Sequence, residues 1–212
     1  MSSEVIDAYR KSLLKTVFCN LIKKGGTSSK ALAEELSVSS EYVDEVCSTL
    51  ADVDMLLKSG GDWVLTELGR RQIVVVFTGG VFDIIHPGHL FTLLSANKLG
   101  DVLVVSVARD KTVKKIKSRF PLNNEKTRVD LVGSLRCVDL ALLGSETDIF
   151  EVVERVRPDV IALGYDQKHD VDELYSEAKR RGLQIKVVRF NSPMPGIKSS
   201  SIIKNSEALR EI

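Results

Sequence analysis

Thr78-Gly-Gly-Val-Phe-Asp-Ile-Ile-His-Pro-Gly-His89 decides how the rest of this chain is read. It follows Ile73-Val-Val-Val-Phe77, an unbroken apolar run of the kind that forms a strand buried on both faces. It precedes Leu90-Phe-Thr-Leu-Leu-Ser-Ala-Asn-Lys98, which reads as a helix. Two glycines and two histidines therefore fall where a first strand turns into a first helix. In an open α/β sheet, ligands bind in that crevice. Gly79 and Gly80 let backbone approach a ligand closely. The helix start offers unpaired N–H groups and a positive dipole end to an anion. His86 and His89, at i and i+3, share one face of the first turn. Such a site suits a phosphate chain. Two of the chain's three histidines lie in this four-residue block, which argues against separate structural roles. Zinc is disfavoured, because no third Cys or His ligand lies nearby.

Downstream, strand and helix patterns alternate. Strands are expected at 73–78, 101–107, 140–143, 160–164 and 184–189, and helices at 89–98, 124–134, 149–155, 172–181 and 199–211. This order implies a parallel sheet with helices on both faces. Lys111, Lys114, Lys115 and Lys117 are expected on a mobile loop after the second strand.

Upstream, residues 1–70 read differently. Apolar residues at helical spacing run from Ile6 to Ile22, and Gly25-Gly26 stops that helix. Thr27 or Ser28 caps a second helix, Ser29–Leu36, and Ser40 caps a third. Met55–Lys58 and Trp63–Thr66 flank Gly60-Gly61 as a hairpin. Helix, helix, turn, helix, hairpin resembles the winged helix-turn-helix domains of archaeal and bacterial regulators. DNA binding is disfavoured all the same. This region carries 8 Lys and Arg against 11 Asp and Glu, and the remainder 22 against 18. The polar face of the third helix holds Glu41, Asp44, Glu45 and Asp52 and no basic residue, so it would repel phosphates. Dimerisation, or packing against the second domain, is the expected role. The domains are placed at 1–70 and 73–212.

Net charge near +1 gives no bulk attraction to nucleic acid or anionic membrane. Cys19, Cys47 and Cys137 lie in apolar helical patterns and are expected as buried free thiols, which suits a reducing, cytoplasmic setting. No apolar run approaches membrane-spanning length.

The His86-Pro-Gly-His89 block resembles the HxGH element of the cytidylyltransferase-like nucleotidyltransferases, and later elements match in order. They are Val107-Ala-Arg-Asp-Lys-Thr-Val-Lys-Lys115, Asn124-Glu-Lys-Thr-Arg128, Gly164-Tyr-Asp-Gln167 and Gly196-Ile-Lys-Ser-Ser-Ser-Ile202. The stretches Ala108–Lys115 and Leu163–Gln167 look most like the archaeal FAD synthases. The resemblance implies a Rossmann-like α/β fold behind the winged-helix-like domain. It also implies transfer of a nucleotidyl group from ATP or CTP to a phosphomonoester, with pyrophosphate released. FMN with ATP is the first candidate pair, and glycerol 3-phosphate with CTP the second. A regulator that senses nucleotide or flavin is the third reading.

Carried onto this sequence, the pattern gives each residue an expected role. His86 and His89 donate to the α-phosphate, and Lys111 and Lys114 reach the phosphates. Backbone around Thr78, Gly79 and Gly80 cradles them, with Phe82 and Asp83 beside the nucleotide. Arg128 adds a bidentate phosphate contact. Gly164 allows close approach of the base or ribose. Asp110 and Asp166 orient ribose, base or cation, or close turns. Ser199, Ser200 and Ser201 hold pyrophosphate or cap a helix. Magnesium is expected through the triphosphate, with no dedicated protein site. A homodimer is consistent with the superfamily. No aromatic cluster in the sequence marks a platform for a flavin ring.

Overall fold

The computed structural model describes residues 3–165, 167 and 169–191. The chain forms two compact units, residues 1–74 and 75–212.

The first unit contains α1 (Ser3–Lys24), α2 (Ser29–Leu36), α3 (Ser40–Asp52), β1 (Leu56–Ser59), β2 (Asp62–Leu65) and the single turn α4 (Glu67–Arg70). Ser28 caps α2, its hydroxyl accepting from the Ala31 N–H. Ser39, one residue earlier than expected, caps α3 by accepting from the Tyr42 N–H. Strands β1 and β2 pair antiparallel, from Leu56 opposite Leu65 to Ser59 opposite Asp62. The two residues between them, Gly60 and Gly61, both have positive φ, as a tight hairpin of this hand requires. Trp63 is buried, and its indole N–H donates to the Ser29 hydroxyl. Leu13, Val17, Leu32, Val43, Cys47 and Leu50 complete the core. Glu41, Asp44, Glu45 and Asp52 are exposed.

The second unit contains β3 (Val75–Gly80), α5 (Pro87–Asn97), β4 (Val102–Val107), α6 (Asp110–Lys117), α7 (Glu125–Gly133), β5 (Leu140–Leu143), α8 (Ile149–Val156), β6 (Val160–Leu163), α9 (Val171–Arg180) and β7 (Lys186–Arg189). The strands form one parallel sheet in the order β5-β4-β3-β6-β7. Every residue of β4 is buried, as expected of a strand covered on both faces. Leu93 and Ala96 of α5 and Val132 of α7 pack with Val76, Leu103, Val105 and Val107 on one face. Carboxylates anchor two strand starts. Asp159 accepts from the Val75 N–H and Asp139 from the Leu103 N–H, both at 2.7 Å.

Two expectations change here. The lysines after the second strand stand on helix α6, not on a loop. The helix expected at 199–211 lies outside the described residues.

Candidate active site at the parting of two strands

Strand order reverses between β3 and β6, so the sheet's topological switch point lies there. The register shows how the crevice opens. Strand β3 pairs with β4 along its whole length, Val75 to Gly80. It pairs with β6 only at Val76 and Phe77. Beyond Phe77 the ladder is replaced by side chains. The Thr78 hydroxyl donates to the Ala162 carbonyl at 2.7 Å. The Gln167 amide donates to the Gly79 carbonyl. Its other end accepts from the Gly164 N–H at 3.2 Å. The end of β3 and the segment after β6 are thus tied across the crevice by one glutamine.

Gly80 is needed for a steric reason. A Cβ there would come within 2.8 Å of the Phe82 ring, whereas one at Gly79 would make ordinary contact, 3.4 Å from the Ser106 carbonyl. Phe82 itself has φ +51°, a conformation costly for a bulky residue. Its buried ring lies 5.0 Å from the His89 ring. The His89 ring in turn stacks on His86 at 3.8 Å and 24°. Phe82, His89 and His86 therefore form a three-ring column at the mouth of the crevice. His86 is also the N-cap of α5, and Pro87 opens the helix. The His86 side chain makes no cap hydrogen bond to this helix start, and a helix N-terminus is the end that favours an anion.

Asp83 and Arg128, expected beside the nucleotide, are both buried and bonded to protein groups. Asp83 is 1 % exposed and faces the protein. Its carboxylate accepts from the Leu122 N–H at 2.7 Å and from Arg119 at 3.0 Å. Its carbonyl accepts from the Asn123 amide at 3.0 Å. Arg128 is fully buried and donates to the Val81 carbonyl at 2.6 Å, the Asn123 carbonyl at 3.0 Å and Asp110 at 2.7 Å. Each of its nitrogens thus has a protein acceptor, and the guanidinium fastens the 119–123 segment to the histidine loop. Thr78 is likewise committed, its hydroxyl bridging to β6.

The lysine helix is held from its base. Asp110 accepts from the Glu125 N–H at 3.2 Å, and Glu125 accepts from the Asp110 N–H at 2.9 Å. Arg109 adds an ion pair to Glu125 at 3.0 Å. Two helix starts therefore cap each other, each with a carboxylate where the dipole favours one. On α6, exposed Lys111 meets Glu146 at 3.1 Å. The Lys114 ammonium lies 4.4 Å from the centre of the Phe120 ring. Gly164 is buried at the end of β6, and Arg189 binds the carbonyls of Gln167 (2.6 Å) and His169. Asp166, Ser199, Ser200 and Ser201 lie outside the described residues. Among the described residues, no group of three or more His, Cys, Asp or Glu gathers to hold a metal.

Gln167, Arg119, Asn123 and Arg189 are structural partners of this site that local sequence pattern does not reveal. Only Gln167 carries a hint, as the last residue of the Gly164 block.

Paired imidazoles at a helix start beside a switch point make a crevice suited to an anionic ligand. The cytidylyltransferase-like family model matches residues 77–205, and the chain belongs to that family. A relative named FAD synthase from Aciduliprofundum boonei is 53% identical over 118 residues, covering 56% of this chain and 78% of its own. A FAD synthase from Methanothermobacter thermautotrophicus is 56% identical over 118 residues, covering 54% and 78%. Among solved structures, a chain titled lipopolysaccharide core biosynthesis protein from Thermoplasma volcanium matches with TM-score 0.56 and 43% identity, covering 57% of this chain and 99% of that one.

Proposed function

We propose that this enzyme is an FMN adenylyltransferase, joining AMP from ATP to the phosphate of FMN to give FAD and pyrophosphate. The observation that carries the reading is identity above half with FAD synthases over 118 residues, beside a family match over residues 77–205.

The chemistry is in-line displacement at phosphorus. A phosphate oxygen of FMN attacks the α-phosphorus of ATP, and the bond to the bridging oxygen of pyrophosphate breaks. A phosphate monoester has its second pKa near ~6, so the nucleophile is already an anion at neutral pH and no general base is needed. Catalysis then consists of positioning and of stabilising charge on the α-phosphate. We assign the donor role to His86 and His89, whose column with Phe82 fixes their rings before substrate arrives. The α5 start serves as the anion seat. Lys111 and Lys114 are assigned to the triphosphate or the acceptor phosphate. Asp83 and Arg128 act through the segment they hold. Magnesium is assigned to MgATP, held mainly by phosphate oxygens and water.

The test is pyrophosphate release from the purified protein, crossing ATP and CTP with FMN and glycerol 3-phosphate. Release with ATP and FMN alone is expected. Release only with CTP and glycerol 3-phosphate would replace this reading with a cytidylyltransferase. No helix of the described residues is long and apolar enough to cross a membrane. We retain the N-terminal unit as a winged-helix-like module for self-association rather than for DNA.

A further inference from the structure

The segment between α6 and α7 carries apolar side chains that the protein's own core does not use. Ile116 is 70% exposed, Phe120 54% and Leu122 51%. Exposed apolar residues scattered singly need no explanation, but three within seven residues beside a reaction site do. They are interleaved with Lys114, Lys115, Lys117 and Arg119, so apolar and cationic surface alternate over one short stretch.

This segment is fixed from below. Ser118 turns the chain at φ +58°. Asp83 takes the Leu122 N–H, the Asn123 N–H (3.4 Å) and Arg119. Arg119 also donates to the Phe120 carbonyl at 2.9 Å, so the backbone that carries Phe120 is pinned while its ring points outward. Asp83 is three residues from His86, a span of at most ~11 Å along the chain. The ring is therefore presented, preorganised, beside the turn that leads into the histidine pair.

We infer that Phe120, supported by Lys114 and flanked by Ile116 and Leu122, is the platform on which the isoalloxazine ring of the acceptor stacks. The chemistry is complementary. FMN is a flat ring system, apolar at its dimethylbenzene end, joined through a ribityl chain to an anionic phosphate. This stretch offers an aromatic face with aliphatic neighbours for the ring and lysines for the anion. A small phosphorylated alcohol would need the lysines but not the ring. The inference rests on the FMN reading above, and the experiment separates the two.

Full-length wild type, F120A and F120W are compared with MgATP and FMN as substrates. FMN binding is also measured without ATP, by quenching of flavin fluorescence. The expected result for F120A is a KM for FMN raised about tenfold, the scale of one lost stacking face, with KM for ATP within about twofold. F120W keeps KM for FMN near the wild-type value and quenches bound flavin more strongly, because an indole now lies against it. An F120A protein with wild-type KM for FMN, in a wild type that makes FAD, overturns the platform and leaves the proposed function standing. Equal loss for ATP and FMN, or loss of ATP alone, assigns the ring to loop structure or to adenine and also overturns it. So does a change in sedimentation coefficient with unchanged kinetics, which would make the patch a contact between copies. Failure of wild type to make FAD removes the function reading instead. The binding titration with F120W then still reports whether flavin meets this residue. Circular dichroism of each variant identifies a folding defect, and F120W guards against one in F120A.

Discussion

Helices α3 and α6 are both short and largely polar, yet they turn opposite charges to solvent. Helix α3 buries Val43, Cys47 and Leu50 and exposes Glu41, Asp44, Glu45 and Asp52. Helix α6 buries Val113 and exposes Lys111, Lys114, Lys115 and Lys117. Placed against a polyphosphate, the first repels and the second attracts. The third helix of a helix-turn-helix order is where a groove reader would need cations, and here it has none. The helix that follows the second strand of the sheet, proposed above to meet a nucleotide's phosphates, is crowded with cations. The pair teaches that element order alone does not assign nucleic-acid binding. Charge on the exposed face carries the information, and it points the handling of phosphates to the second unit.

The largest effect expected is at the site itself. His89→Ala should lower kcat for nucleotidyl transfer at least about a hundredfold, the scale of one lost transition-state donor, with ATP binding by calorimetry little changed. Near-normal turnover would sink the assignment of phosphate chemistry to this crevice. Next, reversing two lysines of α6, Lys111→Glu with Lys115→Glu, should raise KM for MgATP about tenfold and flatten its dependence on salt, since screened attraction is what they supply. Asp83→Ala removes a buried carboxylate with three protein donors and should cost about 1–3 kcal/mol of stability in urea unfolding. It should also raise KM for the acceptor, because the 119–123 segment loses its anchor. On the other side of the comparison, wild type should give no salt-sensitive shift of duplex DNA in a gel. A shift abolished by added salt would break the contrast between the helices.

The smallest effect concerns Cys47. Burial pushes its thiol up to about 12 from an ordinary 9.0. The unfolded chain therefore loses this proton first, and folding stability should fall as pH rises from about 9 to about 12. Cys47→Ala should make the melting temperature less steep over that range, at the cost of a small cavity.

Much of the second unit was legible in sequence because its strands are continuous apolar runs and its turns carry glycine. Strand boundaries differ from expectation by one or two residues, as at Val75–Gly80 and Lys186–Arg189. Helix α6 was not legible. Asp-Lys-Thr-Val-Lys-Lys has one buried residue and no apolar stripe long enough to register, and its start is defined by Glu125, fifteen residues away. The protein contacts of Asp83 and Arg128 were hidden for the same reason, since their partners lie up to 47 residues off in sequence. The histidine pair was legible, because i and i+3 spacing on a first turn needs no distant information.

The parting of β3 from β6 after Phe77 divides a single strand into two kinds of position for anyone altering the protein. Up to Phe77, each side chain is wedged in the interior and answers to volume and shape, so variants there will be sorted by heat. Thr78, buried and bonded to the Ala162 carbonyl, is the last position held to β6, and from Gly79 onward variants will be sorted by rate. A library that crosses that point, read once by melting and once by turnover, should change its ranking within a single residue step.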